Sequence, residues 1–485
     1  MSKDTEPQQT HTDERNQRIL NLAKINENGY GIDETPFVRT ADLKTIRANF
    51  EEGKEIKAAG RLMTIRDMGK SVFADLRDGS DRFQIYLNKK TVSEKDFEVF
   101  GLLSPGDMVG VEGELFTTRA GEFTIKITTW RLLAKSILPM PEKWHGLRDT
   151  EARYRQRYLD LIVNPEVKSV FEMRSHIIRA MRDYLWENGF LEVETPMMQS
   201  VAGGAAARPF ETFYTALDSK MYLRIAPELY LKRLLVGGFE KVFELNRNFR
   251  NEGLSRNHNP EFTMLEIYQA FSDVRGMMDL IKNLILHTAQ TVLGTLKCGT
   301  GEKELDLGAP WREVEYRTLI KEKMGDNWFE LSKEEQVSGV EKLGLSVDPE
   351  WDSVMVTHEI YEKLIEKSLI QPTFVTRFPA NLIPLAKTCP DDPTLVNVYE
   401  LVINGMEVSP GYSELADPIE QRKRFEEQTG EDTHKMDEDF VTALEYGMPP
   451  AGGLGMGVDR LVMVLTGSDT IRDVVLFPQM RQKVD

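Results

Sequence analysis

The 485-residue chain is short of the features that mark several protein classes. It has two cysteines, Cys298 and Cys389, with neither a disulfide framework nor the spacing of a zinc site. A reducing compartment, the cytoplasm, is expected. No apolar run approaches the ~20 residues that a membrane span needs, so no membrane partner is expected. The opening stretch, Met1 to Arg15, is polar and acidic. It resembles neither an apolar signal peptide nor a basic, Ser-rich transit sequence. No internal repeat is visible. A dinucleotide loop is missing too: Gly203-Gly204 lacks the spacing, and in Gly453-Leu454-Gly455-Met456-Gly457 the third glycine comes one residue early. Gly69-Lys70-Ser71 lacks the upstream glycine of a P-loop. Basic charge is also scarce. A net charge of −17 and a pI of about 5.1 argue against broad, non-specific nucleic-acid binding. A local basic face with specific base contacts remains compatible with an RNA partner.

What is present is enough for two or three domains around a large core. Residues 1–53 carry helical patches and no strand signal, so they read as a helical extension. The polar extreme N-terminus reads as disordered. From residue 54 to 138 the character changes. Short strands at Ile56 to Gly60, Val72 to Leu76, Arg82 to Leu87, Met108 to Gly113 and Phe123 to Ile127 alternate with Gly and Asp turns. Five strands with one helix-like interruption fit a small closed barrel of the OB type. Such barrels stack bases on aromatics, although an aromatic such as Phe73 also suits a core. A proline-bearing linker covers 139–160, and a charged helix is expected from Glu151 to Leu161 at its end. The remainder, 161–485, reads as one large domain. Within it, about 300–370 reads as a helical insertion of unknown purpose.

Two stretches concentrate polar groups in apolar surroundings. In the first, a strand ends in Phe249-Arg250-Asn251-Glu252-Gly253. A polar loop runs to His258-Asn259, and a second strand starts after Pro260 with Glu261-Phe262. Period-two alternation puts Phe262, Met264, Glu266 and Tyr268 on one face and Thr263, Leu265 and Ile267 on a core face. A carboxylate and a phenol on a buried strand need a polar ligand. For Arg-x-Glu alone, a salt-bridged hairpin explains as much. In the second stretch, Asn404-Gly405 signals a two-residue hairpin turn. The turn pairs Ile403 with Met406 and Val402 with Glu407. Glu400 then shares a face with Glu407 as a diagonal neighbour, Cβ atoms ~7 Å apart or less. Two carboxylates so placed repel unless a cation sits between them, and magnesium, a hard ion with oxygen ligands, suits them. Two exposed glutamates on an edge hairpin are the alternative.

These strings resemble the three signatures of class II aminoacyl-tRNA synthetases, and the likeness runs from about residue 15 to the end. The helix Val170 to Asn188, Gly189, and the strand closed by Pro196 are similar to the first signature, which forms a homodimer interface. Phe249 to Gly253 with His258 to Thr263 is similar to the second, and Gly453 to Arg460 to the third. Asn251 matches the lysyl branch, where the aspartyl branch usually has Asp. The fold implied is α+β: an antiparallel sheet flanked by helices, with an N-terminal OB-fold β-barrel. The activity implied is activation of L-lysine by ATP with Mg2+, then transfer to tRNA(Lys). Arg250 would hold the α-phosphate and Arg460 the γ-phosphate, and these two are the expected catalytic groups. Glu252 would meet adenine, His258 the distal phosphates and Phe262 the face of the base, with Asn259 and Glu407 also at ATP. Glu228 would hold the α-ammonium of lysine, while Gly204, Glu266, Tyr268, Tyr412 and Glu414 would form the rest of its pocket. Phe73 would stack on the anticodon and Gln84 would read a base edge. One position departs. The lysyl branch usually has an Asn two residues before the aromatic, and Pro410 stands here, so Ser409 or a water is expected to replace that amide. Two other readings fit parts of this pattern. A lysine-activating protein modifier would usually lack the barrel. A non-catalytic RNA-binding relative would not need Arg250, Glu400, Glu407 and Arg460.

Overall fold

The computed structural model describes residues 6–141, 147, 149–205, 207–299, 304–429 and 437–481. The chain divides into two units, Met1–Gly146 and Leu147–Asp485. The disorder expected at the extreme N-terminus falls on residues 1–5, outside those described.

In the first unit, β1 (Glu55–Asp67), β2 (Ser71–Arg77), β3 (Arg82–Asn88), β4 (Met108–Thr117) and β5 (Phe123–Ala134) close into a barrel in the order β1-β2-β3-β5-β4. Alternation decides which side chains fill it: Phe83, Ile85 and Leu87 of β3 are buried, as are Val72, Ala74 and Leu76 of β2. The helical segment before the barrel is not a separate appendage. Ile25 of α1 (Glu6–Glu27) and Leu43 and Ile46 of α2 (Leu43–Ala48) belong to the barrel's own core. Arg18 ties α1 down by donating to the carbonyls of Pro105 and Ser136 at 2.9 and 3.1 Å. Helix α3 (Glu94–Phe100) interrupts the strands and starts at a reciprocal Ser93–Asp96 capping box.

The second unit opens with α4 (Thr150–Arg155) and α5 (Arg157–Val163), where one charged helix was expected. Both pack within this unit. Tyr154 Oη donates to Asp473 at 2.9 Å, and the buried Arg157 pairs with Asp160 while donating to Leu476 O. Helix α6 (Pro165–Glu187) takes proline at its first position and ends before Gly189, whose φ is +80°. The strand after it, β6 (Leu191–Glu192), is far shorter than Phe190 to Pro196. Next come β7 (Met198–Gln199), β8 (Phe210–Tyr214) and β9 (Ser219–Leu223), which form a three-stranded sheet in the order β7-β9-β8.

Helix α7 (Glu228–Val236) leads to β10 (Lys241–Phe249) and β11 (Glu261–Ala270). Helix α8 (Val274–Leu293) follows, then a small pair, β12 (Lys297–Cys298) and β13 (Leu305–Asp306). The segment expected as a purely helical insertion also contributes β14 (Arg312–Glu315), which joins the main sheet parallel to β15 (Thr373–Thr376). Its helices are α9 (Tyr316–Met324), α10 (Lys333–Lys342) and α11 (Ser353–Ile360), and a π turn, Tyr361–Ile365, extends the last. Tyr316, Trp328, Tyr361 and Phe378 give this region its own core. The main sheet is completed by β16 (Val398–Ile403), β17 (Met406–Ser413) and β18 (Ala451–Gly457). Its order is β14-β15-β16-β17-β18-β11-β10-β6, antiparallel except at β14–β15 and β6–β10. Between β17 and β18 lie α12 (Pro418–Thr429) and α13 (Glu438–Glu445). After β18 come α14 (Val458–Thr466) and α15 (Ile471–Val474). Side chains of α6, α8 and α14 cover one face, joining Leu265, Ile267, Leu401 and Leu454 in a single core. On the other face, α7 and α13 pack against Val242, Tyr268 and Ala270, and the region of α9 to α11 packs against Val375, Val398 and Val402.

Candidate active site

The β10–β11 pair holds the first polar stretch with Phe249 opposite Glu261 and Glu244 opposite Glu266. Leu265 and Ile267 enter the core, so Phe262, Met264, Glu266 and Tyr268 take the open face. Arg250, Glu252, His258, Asn259, Phe262, Glu407 and Arg460 line one cleft. All seven expected ATP residues are thus brought together from three separate parts of the chain. The Arg250 guanidinium lies 5.2 Å from the centre of the Phe262 ring, and its Nε is buried without a hydrogen-bond partner. An anion in the cleft would satisfy that orphan donor. Arg460, in the first turn of α14, reaches His258 Nε2 at 3.1 Å and the main-chain carbonyl of Glu407. A guanidinium only donates, so Nε2 accepts and the His258 Nδ1–H donates to Ser255 Oγ at 2.8 Å. Burial, with Arg460 beside it, pushes the His258 pKa down and favours the neutral ring. Asn259 differs from the others. Its amide donates to Glu261 O and accepts from Gln479 N, at 2.6 and 3.2 Å, so it shapes the loop with both ends engaged.

Asp459 carries a task that the glycine pattern did not reveal. It accepts from Thr263 N at 2.8 Å and from Arg174 at 2.5 Å. One buried carboxylate therefore joins α14, β11 and α6, fixing the bases of Arg460 and Phe262 relative to each other. Arg224 has a similar part: it pairs with Glu244 at 2.6 Å and donates to Arg247 O at 2.9 Å, deep under β10.

The hairpin of the second stretch forms as expected at its turn, with Ile403 opposite Met406 and Val402 opposite Glu407. Then the register slips. Leu401 faces Ser409 and Glu400 faces Pro410, so Val408 is an extra residue in a β-bulge. The bulge explains how β17 tolerates a proline in a central strand, since its ladder with β18 begins only at Gly411. Pro410 lines the cleft. Ser409 does not replace the missing amide: it is fully buried and its hydroxyl donates to Gly455 O at 2.7 Å, on the β18 side. Glu400 and Glu407 remain neighbours. Burial and the nearby Glu407 push the Glu400 carboxyl well above its ordinary pKa. Residues of the supposed insertion contact the carboxylate of one glutamate and the backbone of the other. Tyr361 Oη donates to Glu400 at 2.9 Å, and Glu366 accepts from Glu407 N at 2.9 Å. No group of three or more His, Cys, Asp or Glu with metal-holding geometry occurs among the described residues. Two adjacent carboxylates nevertheless suit magnesium, which keeps waters and takes its other ligands from substrate phosphates.

Beyond Phe262, on the same open face, lies a buried polar pocket. Glu228 stands in the first turn of α7, Glu266 and Tyr268 on β11, and Tyr412 and Glu414 at and just beyond the end of β17. Gly204 meets them from its loop with φ +88°, and a Cβ there would lie 3.2 Å from that of Glu228. Tyr412 Oη donates to Glu228 at 2.6 Å and Tyr268 Oη to Glu266 at 3.0 Å. Burial, with Glu228 nearby, pushes Glu266 up to about 8. Burial also raises Glu414 to about 8, against the opposing pull of a cation that the sequence reading did not include. That cation is Lys232, fully buried one helical turn after Glu228. It donates to Glu228 at 2.7 Å and pairs closely with Glu414. The i, i+4 spacing of Glu228 and Lys232 was its only sequence signal. Gly453 of β18 closes the pocket: a Cβ there would meet Glu414 Oε1 at 2.0 Å and the Tyr268 ring at 2.5 Å.

On the barrel, Phe73 and Gln84 both lie on the half-exposed outer surface. Phe73 contacts Tyr86 with ring centroids 4.7 Å apart, and Tyr86 contacts Phe116 at 5.7 Å. The sequence reading named one ring of this aromatic strip. Gln84 Oε1 accepts from Thr124 at 2.9 Å.

Comparison with known proteins agrees with this geometry. Residues 149–481 match the family described as tRNA synthetases class II (D, K and N). Residues 56–133 match the OB-fold nucleic acid binding domain. The lysine–tRNA ligase of Pelotomaculum thermopropionicum is 52% identical over 473 residues, 95% of this chain and 94% of that protein. The lysine–tRNA ligase of Carboxydothermus hydrogenoformans is 48% identical over 478 residues, 97% of both chains. That of Bacillus subtilis is 50% identical over 443 residues, 89% of this chain and 88% of its own.

Proposed function

Because the chain belongs to the class II tRNA synthetases of the D, K and N group, we propose that it activates L-lysine with ATP and transfers it to tRNA(Lys). The observation that carries this reading is a cleft that takes in Phe262 and Met264 of β11 and, farther along the same face of that strand, a buried cluster with three carboxylates, Glu228, Glu266 and Glu414. Lysine presents two ammonium groups joined by an apolar stem. Tyr268 and Tyr412 flank the stem, and the carboxylates meet the two charges. An aspartate pocket would need a cation that faces the ligand; Lys232 is already bound to two glutamates.

In the first step the lysine carboxylate attacks the α-phosphorus of ATP and pyrophosphate leaves. Arg250 holds the α-phosphate beside the incoming carboxylate, and Phe262 covers the base. Glu252 meets adenine, and Arg460 with His258 meets the distal phosphates. Glu400 and Glu407 would hold magnesium, which supplies charge neutralisation on the triphosphate. Catalysis is positioning and charge compensation, and no side-chain nucleophile is needed. In the second step a hydroxyl of the tRNA terminal ribose attacks the adenylate carbonyl. Phe73, Tyr86 and Phe116 offer stacking surfaces to the anticodon, and Gln84, held at its carbonyl end, keeps its NH2 group for a base edge. A homodimer is the expected assembly. Exposed Met198, Phe213, Tyr214 and Leu217, on and beside the β7-β9-β8 sheet, support such a surface. The cytoplasm is the expected compartment, and no described helix is long and apolar enough to cross a membrane.

The test is ATP–pyrophosphate exchange with each amino acid in turn. Lysine is expected to drive exchange without tRNA. Exchange driven by aspartate or asparagine instead would overturn the pocket assignment.

A further inference from the structure

We propose that Lys232 sets the pocket's choice between side-chain cations. By holding one oxygen of Glu414, it leaves a seat for an ammonium and none for the two-pronged guanidinium of arginine. This rests on the assignment of Glu414 to the far end of the substrate side chain.

A lysine with no exposure is costly unless its charge is met. Here it is met twice, by Glu228 Oε1 at 2.7 Å and by Glu414 Oε2. Its Nζ also lies 5.5 Å from the centre of the Tyr412 ring, which adds cation–π attraction. The two carboxylates outweigh burial and raise the Lys232 pKa, so it stays charged. Glu414 is thereby divided. Neither oxygen has a well-aligned hydrogen bond, but Oε2 is in close ion contact with Lys232 and Oε1 is not. Oε1 packs against the bare backbone of Gly453, occupying the place that a Cβ there would take. The end of the pocket therefore offers one free acceptor.

An ammonium is a compact point charge and is satisfied by one oxygen of each carboxylate that it meets. A guanidinium binds best through two parallel N–H donors to both oxygens of one carboxylate. In this pocket its second donor would meet an oxygen already claimed, with a like charge behind it. Charge counting points the same way. Once bound lysine has drawn the protons off Glu266 and Glu414, three carboxylates less one resident cation leave two negative charges, which match its two ammonium groups. Glu228 and Lys232 share one helix, so a single element brings both the α-ammonium partner and the selector into place.

The test uses the full chain. Lysine- and arginine-driven ATP–pyrophosphate exchange would be measured for wild type and for Lys232→Met, which nearly preserves shape. The lysine-to-arginine ratio of kcat/KM is expected to fall about tenfold or more, chiefly through a lower KM for arginine. Thermal unfolding and ATP binding would establish that the variant is folded. A folded variant with the wild-type ratio overturns the proposal, because a purely structural role would reduce both substrates together. Should the variant not fold, competition on the wild type decides. Nε-monomethyl-lysine, still an ammonium, is expected to inhibit lysine-driven exchange, and arginine to leave it unchanged at about a hundredfold excess over the lysine KM. Equal inhibition by the two overturns it. A wild-type protein that does not activate lysine overturns the pocket assignment, and this proposal with it.

Discussion

At the scale of single residues, the pocket trades stability for ligand affinity. Glu266 and Glu414 are each pushed up to about 8, mainly by burial. A carboxyl whose folded pKa lies above its unfolded value contributes stability that is present below the unfolded pKa and lost as pH rises through the folded one. The empty protein is therefore expected to have a lower Tm near pH 9 than near pH 6. Lysine ammonium groups favour the ionised carboxylates, so lysine affinity should run the opposite way. The lysine KM should fall as pH rises from about 6 to about 8.5, with protons released on binding near neutrality. Calorimetry in two buffers of different ionisation heat would detect the release, and no release would refute the linkage. Gly453→Ala puts a methyl group where Glu414 Oε1 and the Tyr268 ring lie. It should raise the lysine KM by at least about tenfold, or ~1.4 kcal/mol, with ATP binding retained. Pro410 was legible as a departure from the family pattern, but its consequence was not. Ser409 turned out to be committed to Gly455, so a water is left as the substitute for the missing amide. Pro410→Asn should change the lysine KM by roughly tenfold or less without admitting another amino acid. A variant that alone restores lysine activation would instead mean that wild type prefers a different substrate.

At the scale of elements, the insertion gains a purpose. Its π turn places Tyr361 against Glu400, and the short helical turn after it places Glu366 against the backbone of Glu407. Insertions of this π type often mark functional sites. Tyr361→Phe removes one hydrogen bond to a carboxylate, worth about 1 kcal/mol. The magnesium concentration for half-maximal exchange should rise about fivefold while Tm hardly moves. Glu407→Gln should impair adenylate formation far more than folding, since Glu407 is half-buried and its backbone contacts remain. An unchanged magnesium dependence in both variants would remove these carboxylates from the metal site. No periodicity pointed to this support, because Tyr361 and Glu366 lie far from β16 and β17 in sequence. The bulge at Val408 was equally hidden: turn chemistry sets a hairpin's register only as far as the first irregularity.

At the scale of the whole molecule, the proposed function requires one RNA to engage both units. The aromatic strip Phe73, Tyr86 and Phe116 is the feature of the barrel that can report this coupling. Phe73→Ala in the full chain should weaken tRNA charging by ~1–3 kcal/mol, the usual worth of one base stack, and leave tRNA-independent exchange unchanged. Equal losses in both assays would mean that Phe73 supports folding instead.

The sequence by itself determined the class of fold, the barrel and the signature strings, and it singled out seven residues that the structure brings into one cleft. The barrel and the hairpin rest on local rules, period two in strands and an Asn-Gly turn, whereas the fold class and the seven residues rest on the likeness to the three signatures. Tertiary structure alone decided the partners of buried charge. Lys232 between two glutamates, Asp459 between β11 and α6, and Tyr361 against Glu400 join residues about 4 to 285 positions apart. Desolvation makes such pairing obligatory, but it does not say which distant residue will supply the partner. Only the packing of the sheet against its helices does.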